Sequence, residues 1–310
     1  MPPTVSSTTE PATPITAATA TNRRGWRLRA GTASLGLLLA TLLAACSSTT
    51  FVYNRLDIIL PWYLERYVDL DREQAARFDV QLDGLLDWHR REELERYVAL
   101  LADMEAELDS ELDLAVIEHY TRELEVAWYR LRDRALAELL DLGATLSEEQ
   151  IDEFLAALER KQRKYERKYL DRDEETFRDD AYDNLCELHE DYLGRLDAAQ
   201  RERLRLAAAT LRRSDATWLR ERAEWMQVMA LELEREPGWQ QRIQRVVSEW
   251  EAQLDADTQQ LYEHNTHTVQ AAMADVLNLR SDRQDERLRR KLAEFREDFA
   301  LLAEQAEGRD

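Results

Sequence analysis

The chain has 310 residues, 44% hydrophobic and 34% charged, with a formal net charge of −21. That mixture of apolar and charged residues suits long amphipathic helices around a sizeable core better than a sandwich or barrel. Glu10, Arg23, Arg24, Arg27 and Arg29 are the charged residues up to position 45, so the remainder carries 38 basic against 62 acidic side chains, a net −24 that excludes a broad phosphate footprint and any nucleic-acid partner that needs one.

In chain order, residues 2–22 are rich in Pro, Thr and Ala, have no periodicity and are excluded from the fold. A basic cluster, Arg23 to Arg29, precedes an apolar run from Ala33 to Ala45. That run falls short of the ~20 residues of a membrane helix and has the length of a signal-peptide core. It ends in Leu43-Ala44-Ala45-Cys46, which resembles the lipobox of bacterial lipoproteins. The resemblance implies that 1–45 is a signal peptide that is removed and that Cys46 carries acyl chains such as palmitate. Two or three chains anchor stably where one does not. These covalent chains are the only non-protein group expected, and no metal or other cofactor is. Ser47 and Ser48, with no Asp, imply sorting to the periplasmic face of the outer membrane. Residues 46–52 then form a lipidated N-terminus and short linker, and 53–310 a helical domain. Four extended residues, Ser47 to Thr50, reach only about 14 Å, so the domain is expected against the headgroups.

After Cys46 the breakers are Pro61, Pro237, Gly84, Gly143, Gly194, Gly238 and Gly308. Between them apolar residues recur three or four apart, as in Leu94, Tyr97, Leu101, Met104 and Leu108. The spacing predicts helices near 53–69, 71–108, 113–142, 147–193 (broken near Asp171), 197–236, 239–279 and 281–306. No run alternates as a strand would. Three starts share Leu, then Asp or Ser, then Gln three residues on: Asp71 and Gln74, Ser147 and Gln150, Asp197 and Gln200. This is a capping box, with Ser281 and Gln284 as a degraded fourth copy. Short connections predict an all-α antiparallel bundle of about six to seven helices in long hairpins.

Two resemblances follow from these residues. Tyr53-Asn54-Arg55-Leu56-Asp57, Leu60-Pro61-Trp62-Tyr63-Leu64, Tyr67-Val68-Asp69-Leu70-Asp71 and Trp88-His89-Arg90-Arg91-Glu92-Glu93-Leu94 resemble a proteobacterial lipoprotein family known only as a domain of unknown function. The match runs from the lipobox to the C-terminus and is densest over 46–101. The chain departs from the family pattern at Glu95, where a proline often stands and would bend the helix. The family implies no catalytic residues. The Leu-[Asp/Ser]-x-x-Gln starts are similar to the Leu-Thr-x-x-Gln motif of Spy-type periplasmic chaperones, which are helical and bind unfolded clients without ATP.

Candidate chemistry is sparse. Cys186 falls among Leu185, Leu188 and Tyr192 and reads as a buried core thiol. Cys186 with His189, and His264 with His267, are each three apart on a helix face, but a zinc site needs more ligands than either pair supplies. The Glu-x-x-His of di-iron bundles and the common hydrolase and phosphate-loop motifs are absent. Aromatic residues crowd the N-terminal third: Trp62, Tyr63 and Tyr67 are candidate headgroup contacts, and Trp88, His89 and Arg90 candidate partner contacts. The leading expectation is a non-enzymatic, membrane-anchored protein binding an unknown envelope protein or client. One alternative is an envelope enzyme whose carboxylates converge from several helices on a histidine such as His89 in a closed pocket. The other is a Spy-like chaperone with a concave, partly apolar surface.

Overall fold

A computed structural model describes residues 49–307, among which there is no strand. The signal segment and Cys46 lie outside the described residues. The elements are α1 (Thr49–Tyr53), α2 (Leu56–Leu64), α3 (Arg72–Trp88), a π turn (His89–Glu93), α4 (Leu94–Glu107), α5 (Leu114–Gly143), α6 (Glu148–Tyr169), α7 (Glu174–Leu193), α8 (Ala198–Thr210), α9 (Asp215–Glu232), α10 (Trp239–Glu249), a 3₁₀ turn (Glu251–Gln253), α11 (Ala256–Asn278) and α12 (Asp282–Glu307). The all-α bundle agrees with the sequence reading, with more helices than the six or seven expected. The excess comes from breaks that carry neither Gly nor Pro. Leu211 turns extended (ψ 136°) between α8 and α9. Between α10 and α11, Asp255 caps a fresh start by accepting the Thr258 N–H at 3.0 Å.

The four capping boxes form and interlock in pairs. Gln74 accepts the Asp71 N–H at 2.9 Å, and Gln150 accepts the Ser147 N–H at 2.8 Å. The two amides then meet: Gln74 Nε2 donates to Gln150 Oε1 at 2.9 Å and Gln150 Nε2 donates to Gln74 Oε1 at 2.6 Å. Each also donates to a carbonyl just before the other's cap, Thr145 O at 2.8 Å and Asp69 O at 2.7 Å. Gln200 and Gln284 repeat the exchange at 3.1 and 2.9 Å, so the degraded fourth copy is a true partner. Both amides are spent on helix ends that would otherwise leave orphaned polar groups. Gln200 is fully buried. Gln200→Leu is therefore expected to lower the unfolding free energy by about 2 kcal/mol in urea titrations, since it strands the Asp197 N–H and the Gln284 amide. Adding Gln284→Leu should cost less than the sum of the single changes, because neither amide is then left facing an apolar partner.

Close packing is mainly between helices distant in sequence. The most extensive pair is α12 on α4, and α12 also meets α7, the π turn and α1. α8 packs on α7 and α11, α9 on α6, and α5 on α3, α10 and α11. One core joins Ile117, Leu185, Leu204, Val276 and Leu288. A second joins Tyr53, Leu86, Leu94, Phe299 and Leu302. A third, around Leu140, Met229, Trp239 and Ile243, ties α5 to α9 and α10. Gly194 closes α7 and Gly238 opens α10 at φ +76° and +86°, where a side chain would be strained.

Candidate functional site

The first two cores do not close on each other. A cleft of about 1880 Å³ runs between them, partly open to solvent, with walls from α1, α2, α4, α5, α7, α11 and α12. Ordinary small-molecule sites occupy about 300–1,000 Å³. Leu56, Leu60, Tyr97, Leu101, Phe295 and Phe299 make one stretch of wall apolar. The stretch near the α8–α9 break is polar and tied down. There Arg172 donates to Asp215 at 2.8 Å and to Asp180 at 2.8 Å, and Arg213 bonds Asp215 at 3.0 Å.

The π turn sits where α3 meets α4 and aims three chemical groups inward. A π turn widens the helix by one residue and re-aims its side chains. This turn contains no proline and ends two residues before Glu95. His89 Nδ1 lies 2.8 Å from the Tyr53 hydroxyl. Burial pushes the Tyr53 phenol up, so it stays protonated. Burial pushes the His89 imidazole down to about 4, with Glu93 opposing and Arg90 adding. Glu93 is fully buried: Arg130 of α5 holds it through Nε at 2.8 and 3.1 Å and Nη2 at 2.7 Å, and Arg96 at 2.8 Å. Arg90 is buried too, its guanidinium 5.1 Å over the Tyr53 ring and 3.2 Å from Asn54 Oδ1. Of Trp88, His89 and Arg90, only His89 lines the cleft; Arg90 locks α1 to the turn. Glu93, the acidic group that acts on His89, is already engaged by two arginines.

Across the cleft, His189 Nδ1 lies 2.7 Å from the Leu185 carbonyl, so Nδ1 carries the hydrogen and Nε2 is an acceptor. Burial lowers this imidazole as well, the Leu185 hydrogen bond opposing. Three buried polar atoms in residues lining the cleft have no partner: His89 Nε2, His189 Nε2 and Trp128 Nε1. Sequence reasoning missed Trp128, Glu93 and Tyr53 as site residues. His189 entered only as a neighbour of Cys186. That thiol is buried, with its pKa raised by burial, as a core cysteine's is. His264 Nε2 lies 3.0 Å from the Thr210 carbonyl. Among the described residues no group of three or more His, Cys, Asp or Glu side chains could hold a metal ion.

The outer side of the cleft's N-terminal wall is apolar as well. Phe51, Ile58, Ile59, Trp62 and Tyr63 are exposed, Trp62 at 57%, and α2 buries no residue fully. Arg55 lies 5.3 Å from the Phe51 ring and Arg66 lies 4.6 Å from the Trp62 ring. Tyr67 is half-buried, 6.2 Å from Phe154, and bonded to Lys161 and to the Tyr63 hydroxyl. α2 is thus two-faced: Leu56 and Leu60 line the cleft while Ile58, Ile59, Trp62 and Tyr63 point away from the protein. α1, described from Thr49, is pinned by Thr50 Oγ1 donating to Asp298 at 2.8 Å. Residues 49–52, expected in the linker, are helical, and Cys46 stands three positions before Thr49 in the sequence. No described helix is long and apolar enough to cross a membrane.

No curated protein and no solved structure matches the chain. A family model matches residues 66–259, starting later and ending earlier than the resemblance read from the sequence. That span is more than half of the chain, and the protein belongs to the family of unknown function DUF6279.

Proposed function

We propose that the protein is a lipid-anchored binding protein at the periplasmic face of the outer membrane, which takes apolar groups of a partner or client into its cleft. The observation that carries this reading is the cleft itself, about 1880 Å³ and walled partly by α1 and α2. Cys46 would hold that helix at the headgroups, and the exposed ring of Trp62 with Ile58 and Ile59 suits the interface. Labelled palmitate should enter the wild-type chain and fractionate with outer membranes. Cys46→Ala should lose the label and most of the membrane association. Retention of label by Cys46→Ala would overturn the anchor.

A second reading, a Spy-like chaperone, is favoured by the interlocked glutamine starts and by a concave, partly apolar surface. It requires suppression of client aggregation at stoichiometric ratios, and failure with several unfolded clients would dispose of it. The enzyme reading asks for two or more acids converging on a histidine. Glu93, the acid that acts on His89, is held by Arg130 and Arg96, which favours binding over acid–base work.

A further inference from the structure

We propose that the outer face of α2 binds a phospholipid bilayer in its own right, with Ile58, Ile59 and Trp62 entering the apolar layer and Arg55 and Arg66 meeting lipid phosphates. This deepens the lipid-anchored reading and rests on it. Three observations select a phospholipid surface over a protein partner.

The first is where the exposed rings stand. Among the described residues the exposed aromatic side chains are Phe51, Trp62 and Tyr63, all on α1 and α2. The exposed aliphatic residues Val80, Leu124, Leu206 and Leu231 are spread over α3, α5, α8 and α9, as ordinary surface residues are. Trp and Tyr rings, apolar in body and polar at the tip, suit the headgroup boundary.

The second is their order along the helix. Arg55, Ile59, Trp62 and Arg66 follow one another at four, three and four residues, so they share one stripe, with Ile58 beside it. Both arginines are exposed, and neither makes an ion pair among the described residues. Arg66 lies over the Trp62 ring and Arg55 over the Phe51 ring. A long stem laid along apolar surface carries its guanidinium out to the polar layer, where the planar fork fits a phosphate. About three helical turns separate the two arginines, so each meets its own headgroup.

The third is charge and placement. The chain carries −21, yet residues 49–67 hold Arg55 and Arg66 against Asp57 and Glu65 and are neutral. Asp57 and Glu65 fall outside the stripe, so phosphates approaching this face meet cations first. Cys46 precedes Thr49 by three residues, a reach of about 10 Å, and the apolar run Ala33–Ala45 comes just before it. A membrane engaged by either is within reach of α2.

The test uses the full chain with Cys46→Ala, which removes the acylation site, and with Ile58→Cys carrying a nitrobenzoxadiazole dye; Cys186 is buried. Titration with phosphatidylcholine vesicles should brighten the dye saturably, and doxyl-labelled lipid should quench it. The same dye at Leu231→Cys, 63% exposed on α9, should respond to neither. Arg55→Gln with Arg66→Gln should weaken the response at position 58 about tenfold with helical circular dichroism unchanged. Vesicles of phosphate-free digalactosyl lipid should weaken the parent chain by a similar factor and leave the double variant where it was. A response independent of both arginines and of phosphate would overturn the phosphate contacts. A dye at position 58 that stays dark and unquenched would overturn the bilayer surface and leave the acyl anchor standing, since palmitate labelling of Cys46 tests that anchor separately. Loss of the anchor with a quenched dye would leave the surface standing alone.

Discussion

Arg130→Met is expected to cost the fold about 3–5 kcal/mol, one of the two largest effects in the protein. Glu93 is 0% exposed, and its two oxygens take three bonds from Arg130 and one from Arg96. Removing Arg130 leaves a carboxylate out of water with a single partner, and Arg96 is itself half in solvent. The converse change, Glu93→Leu, is expected to cost less, because Arg130 is 33% exposed and its guanidinium rehydrates. Combining the two should recover much of the loss. Urea denaturation of the four chains forms the cycle, and purely additive costs would contradict the coupling. The pair clamps the π turn to α5 beside Trp128, so Arg130→Met should also loosen the cleft on that side.

Acid should destabilise the protein as pH falls below the ordinary histidine value. His89 has a folded pKa of about 4 against 6.5 in the unfolded chain, with burial the main cause. The unfolded state therefore binds the extra proton across that window. The stabilisation is complete above pH 6.5 and is lost as pH falls toward 4, by about 3 kcal/mol in all. His189, also lowered by burial, adds in the same direction. Glu221 and Glu251, raised by burial, work against the loss because their protonated forms suit the fold. Unfolding free energies at pH 7 and pH 4.5 should differ by about 2 kcal/mol or more, and His89→Gln should flatten the profile. A wild-type profile already flat across this range would contradict a neutral, buried His89.

Much of the fold was legible because its signals are local. Asp71, Ser147 and Asp197 announce their helices by the capping chemistry itself, and the apolar spacing behind them sets the buried faces. Even the weak fourth copy at Ser281 proved structural. The breaks at Leu211 and before Asp255 were not legible. Leu211 has no intrinsic reason to turn, and the turn is held by distant groups, Arg213 on the Tyr169 carbonyl and Arg172 on Asp215. The pairing of glutamines was equally hidden, since each box is complete on its own and only tertiary placement joins Gln74 to Gln150. The site was the least legible part. His89 and Glu93 stood in a segment already singled out, yet nothing local says that a π turn buries both and turns the histidine toward a cleft. Nothing in the apolar spacing of α5 sets Trp128 apart from its neighbours. A cavity is a property of helices that fail to close, and no periodicity reports it.

Probe binding in a filled cleft tests the central claim most directly. Leu101→Trp and Leu188→Trp each add bulk to the cleft wall, away from the exposed patch on α2. Wild-type full chain should bind N-phenylnaphthylamine saturably, and each filled variant should bind it about tenfold more weakly with its helical circular dichroism unchanged. Trp62→Ser, outside the cleft, should leave probe affinity unaltered. Equal binding by wild-type and filled chains would place the probe elsewhere and contradict the cleft as the working site.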